Sequence, residues 1–247
     1  WRIFMLIPAS ILSAIILTGC TASTVTVELE PSSEAKVNFE HDADPVPESG
    51  EIQEITLPSK GYLSVPFTVQ APEANWDNPY QEACEEASVI MVDYFLRGSA
   101  LSSDQANREI LQLTTWEESH GYKYDVSLEE LATIVEEYYS YETRISEDVT
   151  KESIMHEITK GNPVIVPAAG RDLGNPNFSG QGPWYHMLVI TGYNWRHFIT
   201  NDPGTKRGLD YKYKHRVLLD AIHDWTGVKE EIRNGPKRML IIEKKSS

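Results

Sequence analysis

Three side chains in this sequence have the types and the order that acyl transfer needs: Cys84, His186 and Asp202. A thiol becomes a strong nucleophile when it loses its proton, and an imidazole within reach can take that proton and later give it to a leaving amine. A carboxylate on the other ring nitrogen then fixes the imidazole's tautomer. Cys84 opens a helix predicted over residues 84–97, where the positive end of the dipole and the unpaired N–H groups favour the thiolate. Glu85 and Glu86 oppose that effect if they turn inward and only complement the dipole if they turn outward. His186 stands at the head of a predicted strand, a rigid seat for a base. Asp202 follows the next strand, where Pro203-Gly204 forces a turn. From there it is placed to accept Nδ1–H of His186 and leave Nε2 for the thiol. Each residue alone has an ordinary explanation: a core cysteine, a packed histidine, a turn-forming aspartate. The three in this order favour the chemical one.

The elements that must position them are readable from period and capping. In the 84–97 helix Ala87, Ile90, Met91, Tyr94 and Phe95 share one face, and Gly98 closes it. A second helix is predicted over 103–114 with Ser103 or Asp104 as cap. A third covers 127–139, opened by the capping box Ser127 to Glu130, and a fourth covers 150–160 between Thr150 and Gly161. Strands follow at 163–169, 187–193, 197–200 and 239–243, with a turn at Asn194-Trp195-Arg196. Residues 63–69 read as an extended lead-in. Helices first and strands second predict an α+β fold, with helices on one side of a mainly antiparallel sheet. The Gly-, Asn- and Pro-rich loop 170–183 is placed to line a cleft. Trp76, Tyr80, Trp184 and Tyr185 flank the same region, as cleft wall or as core.

The order of a helix-borne Cys followed by His and Asp on successive strands resembles the papain-like superfamily. More closely, the chain is similar to the bacteriocin-processing, double-glycine leader peptidases, family thirty-nine of the cysteine peptidases, and to their stand-alone lipoprotein relatives. The matching pieces are Val65-Pro66-Phe67-Thr68-Val69-Gln70, Cys84-Glu85-Glu86-Ala87-Ser88, Gly161-Asn162-Pro163-Val164-Ile165-Val166, His186-Met187-Leu188-Val189-Ile190-Thr191-Gly192-Tyr193 and Asp202-Pro203-Gly204. The resemblance implies an oxyanion-hole glutamine upstream of the Cys. Gln70 follows the Val-Pro pair and is the choice; Gln81, closer to Cys84, is its rival. Two departures stand out: the leader peptidases hold that glutamine nearer the Cys, and often carry Gly where this chain has Glu85.

Composition sets the surroundings. The chain has 247 residues, and 22 basic against 37 acidic ones give a net charge of −15, which excludes nucleic acid as a partner. Two cysteines, Cys20 and Cys84, are too few for a disulfide framework. Residues 3–17 form an apolar run shorter than a membrane span, and it ends Leu17-Thr18-Gly19-Cys20. That ending resembles a bacterial lipobox, which implies cleavage before Cys20 and a diacylglycerol on its sulfur. Residues 1–20 are thus expected to be a lipoprotein signal peptide, 21–59 a disordered acidic linker and 60–247 the papain-like domain. His41 with Asp42 and Asp44 reads as a solvated tail rather than a metal site. No GxxxxGK[ST] loop and no HExxH spacing occur, so no nucleotide, cofactor or catalytic metal is expected.

The expectation is a lipid-anchored, extracytoplasmic enzyme of a bacterial membrane. It is expected to be monomeric and to hydrolyse the peptide bonds of a peptide or protein substrate through Cys84, His186 and Asp202. The rival is an inactive relative that binds peptide or cell-wall material. A further reading keeps the chemistry but directs it to transamidation or cell-wall peptide cleavage.

Overall fold

The computed structural model describes residues 56–245. Cys20, the apolar run before it and the acidic stretch to residue 55 lie outside them. The described chain begins with β1 (Gly61–Tyr62) and an extended lead-in, then reaches α1 (Cys84–Arg97), α2 (Ser103–His120) and α3 (Leu128–Ile134). There follow β2 (Glu142–Ser146), α4 (Lys151–Lys160), β3 (Val164–Ala169), β4 (Tyr185–Tyr193) and β5 (His197–Asn201). β6 (Tyr211–Lys214), α5 (His215–Ala221) and β7 (Met239–Glu243) complete it. The sheet order is β2-β7-β3-β4-β5-β6, with β1 beside the end of β4. Every pairing is antiparallel. The fold class expected from the sequence, helices on a mainly antiparallel sheet, is the one observed.

The helices form where capping and periodicity place them. Gly98 closes α1 in the left-handed region at φ 67°, a conformation that costs glycine nothing. Ser127 and Glu130 make the reciprocal capping box, and the helix runs on as a π turn at Val135–Tyr139. Thr150 caps α4 and Gly161 ends it. α2 differs from expectation at both ends. Its cap is Ser102, whose hydroxyl accepts from the Gln105 N–H while the Gln105 side chain accepts from the Ser102 N–H. It also runs on to His120, since nothing after Thr114 breaks a helix before Gly121.

Helices cover both faces of the sheet, not one. α1 and α3 pack Val89, Met91, Val92, Leu128 and Leu131 onto Ile165, Met187, Val189, Leu240 and Ile242. α4 and α5 pack Ile154, Ile158 and Leu218 onto Val164, Val166, Leu188, Ile190 and Ile241. Strands covered on both faces cannot alternate polar with apolar. β3 and β4 are accordingly buried at every position, including the polar His186 and Thr191. His186 therefore sits on a strand paired along both edges, by β3 and by β5. No helix among the described residues is long and apolar enough to cross a membrane.

Candidate active site

Cys84 and His186 open onto one cleft of about 730 Å³, whose lining includes Gln70, Trp76, Phe178 and Trp184. Trp76 and Trp184 wall it, with the Arg171 guanidinium stacked 3.5 Å from the Trp184 ring centre. Tyr80 does not: it is buried beside α1, and its hydroxyl hydrogen-bonds Asn107 at 2.5 Å. Tyr185 does both, lining the cleft while its buried hydroxyl donates to the Val126 carbonyl at 2.9 Å. The loop 170–183 contributes Phe178, which stands edge-on to His186 with ring centres 5.3 Å apart.

The imidazole is fixed through its Nε2, not through Nδ1. Nε2 lies 2.7 Å from Asp202 Oδ1, and both side chains are buried. Oδ1 also accepts from the Gly204 N–H at 3.0 Å. Oδ2 accepts from the Tyr213 hydroxyl at 2.6 Å and from the Asn175 amide at 3.1 Å. Asn175 donates to Tyr213 as well, at 2.8 Å, so the Tyr213 hydrogen must point at Asp202. A carboxylate ringed by donors stays ionised. The His186 charge and these hydrogen bonds hold the Asp202 carboxyl below its usual range despite the opposing effect of burial, while burial and that carboxylate push Tyr213 up. Nε2 must then carry the proton, which leaves Nδ1 as the basic nitrogen. The sequence expectation had the two nitrogens reversed, because a strand end does not reveal from which side the carboxylate arrives. Asn175 and Tyr213 were not singled out by sequence; nothing in their spacing marks them.

Gly204 permits this packing. A Cβ there would lie 2.9 Å from both His186 Cε1 and Phe178 Cε1. Gly204→Ala is therefore expected to displace the imidazole and cut kcat by about tenfold to 10²-fold with the fold retained. Initial rates on any peptide that the unaltered protein cleaves, with thermal unfolding alongside, check this.

Cys84 is the first residue of α1, as predicted, but its thiol is engaged by Glu85 rather than by His186. No hydrogen bond joins sulfur and imidazole. Sγ instead contacts Glu85 Oε2 at 2.9 Å. Glu85 and Glu86 both turn inward and are buried. Burial raises the Cys84 pKa well above an ordinary thiol, and the neighbouring Glu85 and Glu86 carboxyls add to that; a hydrogen bond from the Met187 backbone acts the other way. Burial and carboxylates thus outweigh the helix dipole. Glu86 packs against Glu117 of α2, whose carboxyl is pushed up to about 11 by burial and by Glu86.

Gln70 is buried, and its amide donates to the carbonyls of Tyr80 at 3.0 Å and Gln81 at 2.9 Å. Its backbone N–H donates to Pro203 at 2.9 Å. Gln70 thereby ties the turn before Cys84 to the turn after Asp202. The Gln81 side chain is exposed and reaches only Glu82.

A helix-borne thiol and a strand-borne histidine, the latter paired with Asp202 just beyond β5, thus meet at one cleft. Residues 62–230 match the Peptidase_C39 like family, and the chain belongs to that family. The fold is similar to that of a protein from Bacillus anthracis described as a C39-like peptidase, at 16% identity and a TM-score of 0.51, over 77% of this chain and 100% of that one. Xylellain, a cysteine protease from Xylella fastidiosa, aligns over 77% of this chain and 88% of its own at 14% identity with a TM-score of 0.38. No curated protein sequence matches. By family the protein is a cysteine peptidase.

Proposed function

We propose that the protein hydrolyses peptide bonds through Cys84, His186 and Asp202. The observation that carries this reading is the buried 2.7 Å contact between His186 Nε2 and Asp202 Oδ1, with the imidazole on the cleft that Cys84 also lines. The S–H first swings about Cβ–Sγ from Glu85 Oε2 towards Nδ1, with the sulfur left in place; hydrogen bonds of this kind commonly tighten only when substrate binds. Nδ1 takes the thiol proton, and the imidazolium is paired with Asp202. The thiolate attacks the peptide carbonyl carbon, and the oxyanion is received by the Cys84 N–H. Gln70 joins it by exchanging one of its two carbonyl partners for the oxyanion. Nδ1 then gives its proton to the leaving amine as the C–N bond breaks and a thioester remains; water deprotonated by Nδ1 attacks that thioester, and the C–S bond breaks to release the acid and return the Cys84 thiol.

The cleft size and the family favour a peptide or protein substrate. Cleavage of double-glycine leaders belongs to the resembling peptidases, and such leaders form one arm of a substrate screen. Cys20 as a lipid anchor, holding the domain on the outer face of a bacterial membrane, completes the reading.

The inactive-binder alternative has one observation in its favour, the thiol held by Glu85. Hydrolysis of a screened peptide by the unaltered protein and by Cys84→Ala separates the two. The expected result is complete loss in the variant; full activity in Cys84→Ala would sink the reading.

A further inference from the structure

The Cys84–Glu85 contact is too close for two anions. Sγ and Oε2 are 2.9 Å apart, Glu85 has no exposed surface, and its other oxygen receives only a long 3.4 Å hydrogen bond from the Val126 N–H. Two negative charges at such a distance away from water cannot coexist. Among the described residues, the ionisable groups that face Glu85 are acids: Glu86 on its own helix, Glu117 from α2, Asp125 from the segment before α3, and Tyr185 from β4. The nearby ammonium of Lys229 is committed to Asp125 at 3.4 Å and Glu82 at 3.8 Å. Among the described residues no cation is left to neutralise a carboxylate here, so the carboxyl must bring its own proton.

We propose that Glu85 works as a neutral carboxylic acid whose O–H hydrogen-bonds the Cys84 sulfur and holds the thiolate formed when the thiol proton leaves for His186. This rests on the peptidase reading for its purpose and on the geometry alone for its chemistry. The balance is simple. The S–H bond breaks, an N–H bond forms at His186 Nδ1, and the Glu85 O–H bond stays intact. The Sγ–Oε2 contact keeps one hydrogen throughout, given by the thiol before ionisation and by the carboxyl after it. The Met187 N–H supports the thiolate from the sheet side. In agreement, burial and the Glu86 charge push the Glu85 carboxyl well above the ordinary carboxylate range.

The test is the pH dependence of iodoacetamide alkylation, read at the Cys84 peptide by mass spectrometry in the full chain, for the unaltered protein, Glu85→Gln and Glu85→Leu. A neutral acid and an amide are both uncharged donors, so Glu85→Gln should leave the neutral-pH rate within about threefold, while Glu85→Leu should slow it by about tenfold or more. A rise of about tenfold or more in Glu85→Gln would mean that an anion had been removed, and would overturn the proposal. Infrared difference spectra of the unaltered protein before and after alkylation need no variant. A shifted protonated-carboxyl band at neutral pH is expected, and its absence counts against the proposal. None of these readings uses a substrate. Loss of the peptidase reading through an active Cys84→Ala would leave them standing, and their failure would leave that reading untouched.

Discussion

Asp202→Ala is expected to lower kcat by about 10² to 10⁴-fold with KM little changed. Asp202→Asn should do nearly as much harm, although it keeps the size. Four donors converge on the two carboxylate oxygens: His186 Nε2 and the Gly204 N–H on one, the Tyr213 hydroxyl and the Asn175 amide on the other. An asparagine amide turned either way points its NH₂ at one of those pairs. Facing Tyr213 and Asn175 it sets donor against donor. Facing His186 it forces the proton onto Nδ1 and removes the base. The alanine variant also leaves buried donors without an acceptor, and should lose roughly 3 kcal/mol of unfolding free energy. Because the folded Asp202 pKa is depressed, this contribution is present above the carboxylate's unfolded value and vanishes as pH falls through the folded one. The difference in stability between the two proteins should therefore narrow on acidification. An asparagine variant that kept most of the kcat would show that Asp202 does not position His186.

How much of this was legible in the sequence depended on how local each cause was. The start of α1 at Cys84, the Ser127–Glu130 capping box, and the Gly98 and Gly161 stops are written within a few residues and were read correctly. β2 and β6 were not read, because Glu142-Thr143-Arg144-Ile145-Ser146 and Tyr211-Lys212-Tyr213-Lys214 are short edge strands that become strands only through their neighbours β7 and β5. Cover on both faces of the sheet was missed for a similar reason. An all-apolar run such as Val164-Ile165-Val166 states that it is buried, not from which side each helix arrives. In the site, residue types and order disclosed Cys84, His186 and Asp202, but not which imidazole nitrogen meets the carboxylate. That depends on Tyr213 and Asn175, 11 and 27 residues from Asp202 in sequence, folding around it. Glu85 and Glu86 were ambiguous because first-turn acids normally face water. Only the placement of α1 against β4 and of α2 beside it sends them inward.

That inward turn leads to the second large effect: Glu117→Gln should stabilise the protein at alkaline pH by roughly 2 kcal/mol at about pH 8 and flatten its pH dependence. Glu86 and Glu117 are both buried, burial pushes both carboxyls up, and two carboxyls buried side by side hold one proton between them because two such anions cannot both be kept from water. Without that proton, Glu86 Oε2 and Glu117 Oε1 have no partner. The folded Glu117 carboxyl holds its proton up to about 11, whereas in the unfolded chain it is lost near the ordinary glutamate value of about 4.3. A folded state that keeps a proton the unfolded state releases grows less stable as pH rises, by up to about 1.4 kcal/mol per pH unit for each proton. The unaltered protein should therefore lose stability on going from about pH 5 to about pH 9. Glutamine carries its hydrogen permanently and can donate it to Glu86 at any pH, so the variant avoids the loss and leaves a single charge in the pair. Urea unfolding of both proteins across that range is the measurement. Converging curves at low pH and a growing gap in favour of the variant at high pH are expected, and parallel curves would mean that Glu86 and Glu117 do not share a proton.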